Sequence, residues 1–136
     1  MSVMVGLSVA PISAEIEEVA RQVVDGALQV HRTFGPGLLE SVYEECLVHE
    51  LWSRGLVCER QKPVPVTYRD HHIELGFRLD LLVEDAVIVE LKAVEALLPL
   101  HEVQLYTYLK LMKKRLGLLI NFNVPLIKQG IRRVAC

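Results

Sequence analysis

The chain has little that would tie it to a disulfide scaffold, a membrane or a nucleic-acid coat. Its three cysteines, Cys46, Cys58 and Cys136, are odd in number, far apart and without a CxxC pair. Neither a disulfide framework nor a zinc knuckle is signalled, and a reducing, cytoplasmic interior fits best. No apolar run is long enough to span a bilayer, so no membrane association is expected. The apolar opening from Val3 to Ile12 has no Lys or Arg ahead of it and is broken by Pro11, which argues against a secretion signal. Lys and Arg number 15 against 17 Asp and Glu, for a net charge of -2. That balance argues against a generally basic surface while leaving room for a local phosphate-binding patch. Repeats and low-complexity segments are absent.

What is present is one domain's worth of chain. The 136 residues, 51% hydrophobic, suffice for a single core. Residues 1–12 read as an N-terminal tail and 13–136 as the domain. Ser13 is a plausible N-cap followed by Glu15, Glu17 and Glu18, acids that favour a helix N-terminus. Ile16, Ala20, Val23, Ala27, Val30 and Phe34 recur at helical spacing, predicting a helix over 13–34. Gly35-Pro36-Gly37 stops it, and a second helix follows from about Leu38 to Ser53, ended by Gly55. Its expected buried stripe is Leu39, Val42, Tyr43, Cys46 and Leu47.

Alternation then takes over. Val57 to Tyr68, with Pro63 and Pro65, reads as an edge strand, Ile73 to Val83 as the next and Ala86 to Leu91 as the third of an antiparallel meander. Pro99 opens a helix reaching about Lys114, and Leu116 to Phe122 is a further strand, with a short one from Gly130 to Ala135. The order helix, helix, three strands, helix, strand predicts a mixed central sheet flanked by helices, an α/β or α+β fold, with the fourth strand parallel to an earlier one through the helical crossover.

Three charges sit inside the most apolar part of this pattern. Asp80, Glu90 and Lys92 lie in runs of Leu, Val and Ile that read as strands buried on both faces. Alternation puts Glu90 and Lys92 on one face. Asp80 joins them only if opposed positions sum to an even number, which a three-residue turn at Glu84-Asp85-Ala86 gives and a two-residue turn does not. Glu40 on the second helix is a further acid, equally readable as a solvated first-turn residue. His101, Gln104 and Tyr108 share a polar face of the last helix, well placed to look back at the charges or to form an ordinary amphipathic boundary.

Hard oxygen donors of this kind suit Mg²⁺ or Mn²⁺. Asp80, Glu90 and the Leu91 backbone carbonyl are the candidate ligands, with Glu40 as a further one, and Lys92 is placed to orient a water or stabilise a phosphorane-like transition state. The plainer alternative is a Glu90–Lys92 ion pair with Asp80 bonded to backbone amides or Arg78. Arg60, Lys62, Lys113, Lys114, Arg132 and Arg133 are candidate phosphate contacts that also read as solvated surface cations.

Asp80, Glu90 and Lys92 in this strand order, after a helix carrying Glu40 and before one carrying Gln104 and Tyr108, resemble the core of the PD-(D/E)xK nuclease superfamily. Gly37-Leu38-Leu39-Glu40-Ser41-Val42-Tyr43 resembles the signature of the prokaryotic-type GxxExxY family within it. The similarity continues through Glu59-Arg60-Gln61, Val89 to Glu95, His101 to Leu105 and Leu118 to Phe122, and covers about residues 15–133. Leu79 stands where the superfamily name has Pro, a departure that alters no ligand.

This resemblance implies a restriction-endonuclease-like core of order ααβββαβ. It also implies Asp80, Glu90 and Lys92 as a metal-dependent catalytic set, with Glu40 and Gln104 as additional site residues and Tyr43 and Tyr108 in support. The expected activity is phosphodiester hydrolysis in DNA or RNA. The alternatives are a catalytically inactive module that binds nucleic acid or a partner protein, and a small homo-oligomeric subunit.

Overall fold

The computed structural model describes residues 2–4 and 10–136, without the side chains of 2–4 and Leu75. The elements are β1 (Ser2–Met4), α1 (Ala14–Phe34), α2 (Glu40–Ser53), β2 (Cys58–Tyr68), β3 (His71–Val83), β4 (Val87–Lys92), α3 (Pro99–Met112), β5 (Leu116–Asn121), a 3₁₀ turn (Ile127–Gly130) and β6 (Ile131–Ala135). The expected core order is there, with two short strands added. β6 is the final strand anticipated from Gly130 to Ala135. β1 falls in the segment read as a tail, the remainder of which lies partly outside the described residues.

Helix α1 begins where Ser13 Oγ accepts the Ile16 N–H at 3.3 Å. It ends where Gly35, at φ +65°, donates its N–H to the His31 carbonyl at 2.7 Å. That left-handed end favours glycine, which explains the stop in the sequence. Arg54 then ties the two helices together, bonding Gln22 and Asp25 of α1 as well as Glu50 of α2.

The strands form one mixed sheet in the order β1-β6-β5-β4-β3-β2. β4 and β5 run parallel, as the α3 crossover requires, and β2, β3 and β4 form the antiparallel meander. β2 is an edge strand, the position where Pro63 and Pro65 can be accommodated without interrupting a central ladder.

The two faces of the sheet bury separate cores. Leu81, Val83, Val89, Leu91, Leu118 and Ile120 pack with Val23, Ala27, Val30, Tyr43, Leu47 and Leu51 from α1 and α2. Leu82, Ile88, Leu119 and Val134 pack with Leu105, Tyr108 and Leu109 of α3. The α3 side is close fitting: a Cβ on Gly117 would stand 2.8 Å from Leu105 Cδ1.

The buried stripe of α2 is rotated from the expected one. Tyr43, Glu44, Leu47, Val48 and Leu51 are buried, whereas Leu39 and Val42 are exposed and Cys46 is half-buried. Its composition misleads because a carboxylate, Glu44, occupies a buried position that an apolar residue would ordinarily hold.

Candidate active site

The decisive geometry is the β3–β4 register. Leu81 opposes Val89, Leu82 opposes Ile88 and Val83 opposes Val87, across a turn of Glu84, Asp85 and Ala86. The opposed positions therefore have the even sum that the charged-face reading demands, and the next opposed pair in this register is Asp80 with Glu90. There the ladder stops, and the side chains take over its hydrogen bonds. Glu90 Oε2 accepts the Asp80 N–H at 2.8 Å, and Asp80 Oδ2 accepts the Leu91 N–H at 2.8 Å. The plainer alternative is thus met for Asp80, which bonds a backbone amide, while Glu90 bonds the Asp80 N–H and forms no ion pair with Lys92 among the described residues. It does not exclude a site, because it fixes the two carboxylates beside each other at the point where the strands separate.

Two adjacent acids in an apolar setting resist ionising together. Burial first, and then the Asp80 charge, push the Glu90 carboxyl up to about 8, with the Asp80 N–H and Lys92 opposing. Asp80 is also raised, chiefly by burial and further by Glu44, against the Leu91 N–H, Gln61 and Lys92. Glu40 is exposed at the start of α2, as the solvated first-turn reading expects; its carboxyl is still raised by burial and then by Asp80, and it in turn raises Glu90. On the α3 side, burial and then Glu90 and Asp80 raise the Tyr108 phenol, whose ring packs tilted on Phe77 at 5.2 Å. Burial and then Lys92 lower His101. The Lys92 field therefore reaches Glu40, Asp80, Glu90 and His101, and its ammonium forms no ion pair among the described residues.

The sequence explains why Glu40 is delivered here. Gly37 adopts φ +106° just before α2, and Glu40 is the first helical residue. Three residues later the Tyr43 hydroxyl donates to the Gly35 carbonyl at 2.6 Å and accepts the Leu38 N–H at 3.1 Å. Its ring stacks on Phe122 with centroids 4.4 Å apart. Gly, Glu and Tyr at this spacing therefore make one device: a left-handed turn, an acid at the helix start and an aromatic clamp on the turn. Tyr43 is itself fully buried.

Other placements differ from expectation. Gln104 is exposed, while Tyr108 is buried, so the two do not share a uniformly polar face. Among the described residues, no three His, Cys, Asp or Glu side chains are grouped so as to hold a metal ion. Asp80 and Glu90 are bonded across the two strands, while Glu40 starts a different element.

The six candidate phosphate contacts are dispersed. Arg60 is held by Glu44 and Glu45, Lys62 by Glu59, Lys114 by Asp85, Arg132 by Glu102 and Arg133 by Glu17. Lys113 is the left-handed cap of α3. It lies at the end of the crossover that leads back to the β4 start, away from Lys92 at the other end of that strand.

Asn121, assigned no site role from the sequence, is buried opposite Lys92 in the parallel β4–β5 register. Its amide accepts the Val94 N–H and donates to the Val94 carbonyl at 3.1 and 2.9 Å, while the Lys92 carbonyl accepts the Phe122 N–H at 2.9 Å. This fixes the chain leaving β4. In the sequence Asn121 belongs to the Leu118 to Phe122 stretch that carries the family resemblance, one residue before an aromatic.

The structure thus sets two strand carboxylates at a break in the ladder, with a lysine two residues on and an acid at a helix start. Comparison at family level matches residues 17–134 to the PD-(D/E)XK nuclease superfamily. The chain belongs to that superfamily. Comparisons with curated proteins and with solved structures gave no match. Superfamily members typically use divalent metals. The donor set here fits one: Mg²⁺ favours one or two protein carboxylates with water and phosphate oxygens completing its shell. Asp80 and Glu90 each commit one oxygen to a backbone amide, leaving Asp80 Oδ1 and Glu90 Oε1 for a cation. Burial raises both carboxyls, and the Asp80 charge raises Glu90 further, so added positive charge would favour their ionised forms. Among the described residues no helix is long and apolar enough to cross a membrane.

Proposed function

We propose that this protein is a divalent-metal-dependent nuclease of the GxxExxY type, hydrolysing phosphodiester bonds in DNA or RNA in a cytoplasmic setting. The observation that carries the reading is the Asp80–Glu90 pair, set opposite each other where the β3–β4 ladder opens.

Asp80, Glu90 and the Leu91 carbonyl would hold Mg²⁺ or Mn²⁺. Such an ion, when bound, supplies positive charge against the phosphodiester and acidifies water. Lys92 contributes an ammonium without an ion-pair partner among the described residues, able to donate to a phosphate oxygen or to an attacking water. Glu40, exposed at the start of α2 and raised by burial of its carboxyl and then by Asp80, would be a further acid beside the pair. Gln104, exposed on the first turns of α3, is free to donate to substrate, and Tyr108 closes the site from the α3 side.

The pairing of Arg60, Lys62, Lys114, Arg132 and Arg133 with acids favours a small nucleic-acid footprint over a long basic track. The same pairing supports the second reading, a nuclease-fold module that depends on a partner protein or a second copy to hold its substrate.

The test is incubation of the purified protein with plasmid DNA and with RNA, in Mg²⁺, Mn²⁺ or chelator. Metal-dependent cleavage that Asp80→Asn and Lys92→Ala abolish, with circular dichroism unchanged, is the expected result. Salt-sensitive binding that survives both substitutions, without cleavage, would replace the enzyme with the binding module.

A further inference from the structure

We infer that Gln61 is a positioning residue that orients Asp80 from the buried Glu44 carboxylate of α2. The register of β2 on β3 is constant from Cys58–Val83 to Val64–Phe77, and Gln61–Asp80 is the one position missing from it. Gln61 is also left-handed, at φ 48°. A side chain other than glycine there costs roughly 1–2 kcal/mol, so the surrounding contacts must hold it in place. The distortion falls opposite Asp80, and its effect is to bring the Gln61 amide between two carboxylates. Nε2 donates to Glu44 Oε1 at 2.8 Å and to Asp80 Oδ1 at 3.4 Å.

Glu44 is a firm anchor. It is 9% exposed, and Arg60 donates to its other oxygen through both Nε and an Nη at 3.2 and 2.9 Å. With a carboxylate on each side, the amide can present only its NH₂ group, so its flip state is determined. The oxygen it addresses, Asp80 Oδ1, is the one not committed to a backbone amide. Arg60 thus serves the site by fixing Glu44, and Glu44 by fixing Gln61.

This inference rests on the reading of Asp80 as an ion-binding carboxylate, and two measurements separate the two. The first follows the two Gln61 Nε2 protons by NMR in metal-free protein. Gln61 is exposed, so the readout is the chemical shift of each proton: Glu44→Ala should move one and Asp80→Ala the other. If Asp80→Ala leaves both unchanged, Gln61 is a clamp between α2 and β2 and the inference is overturned.

The second measures Mn²⁺ binding by electron paramagnetic resonance. Gln61→Leu should weaken it by roughly 10-fold, the scale seen when a partner of a ligand is removed, with the folded fraction unchanged at the assay temperature. Wild-type affinity in Gln61→Leu, alongside loss of binding in Asp80→Ala, overturns the inference alone. Mn²⁺ binding that is indifferent to Asp80→Ala instead overturns the proposed metal site, and the NMR result then decides the role of Gln61.

Discussion

Replacing Glu90 by Gln isolates the electrostatic cost of the carboxylate pair. Gln can accept the Asp80 N–H through its amide oxygen, so the geometry at the ladder break is kept while the charge is removed. The Glu90 carboxyl stands at about 8 against an ordinary 4.5, a difference worth roughly 5 kcal/mol as an upper limit. Water entry and relaxation at the opened ladder reduce it, and about 2–3 kcal/mol is the expected effect.

The sign follows from proton binding. Below pH 4.5 the group is protonated in both folded and unfolded chains and Gln gains nothing. As pH rises from 4.5 to about 8 the unfolded chain ionises first, so wild-type stability falls across this window and levels off above it. Glu90→Gln should therefore match the wild type near pH 4 and melt roughly 8–12 °C higher near pH 8.5. Mg²⁺ should close the gap from the other side, since an ion at 100 times its Kd stabilises the wild type by about 2.7 kcal/mol while the variant responds weakly. Thermal melts from pH 4 to 9, with Mg²⁺ and with chelator, provide the assay. Parallel curves at every pH, or equal Mg²⁺ responses, would refute the reasoning.

Three further outcomes follow from the packing. Tyr43→Phe removes both hydroxyl contacts to the Gly35–Leu38 turn and should cost about 1–3 kcal/mol in urea denaturation, with a larger fractional loss of cleavage than of binding because Glu40 is loosened. Gly117→Val would drive a side chain into Leu105, whose Cδ1 is already 2.8 Å from a Cβ built there, and should destabilise by about 1–3 kcal/mol in the same assay. Gln104→Ala, at an exposed position, should leave stability within about 0.5 kcal/mol; a fall in cleavage with unchanged melting would mark direct contact with substrate, and unchanged cleavage would remove it from the site.

The chain order of residues determined the element sequence, the α3 crossover and the face shared by Asp80, Glu90 and Lys92. Periodicity and turn chemistry are local, and one parity condition on the Glu84–Ala86 turn sufficed to oppose the two acids. The sequence likewise marked Gly37, Glu40 and Tyr43 as a unit without showing that a phenol hydroxyl holds the turn.

Only the tertiary structure decided what neutralises what. Glu44 lies on a helix and Gln61 on a strand, 17 residues apart, and no local pattern distinguishes a buried anchoring carboxylate from a solvated one. Nor could it show that Arg60, Lys62, Lys114, Arg132 and Arg133 are engaged by acids, or that Leu39 and Val42 turn outward while Glu44 turns in. Burial and charge pairing depend on which elements pack together, and that is a property of long-range contacts.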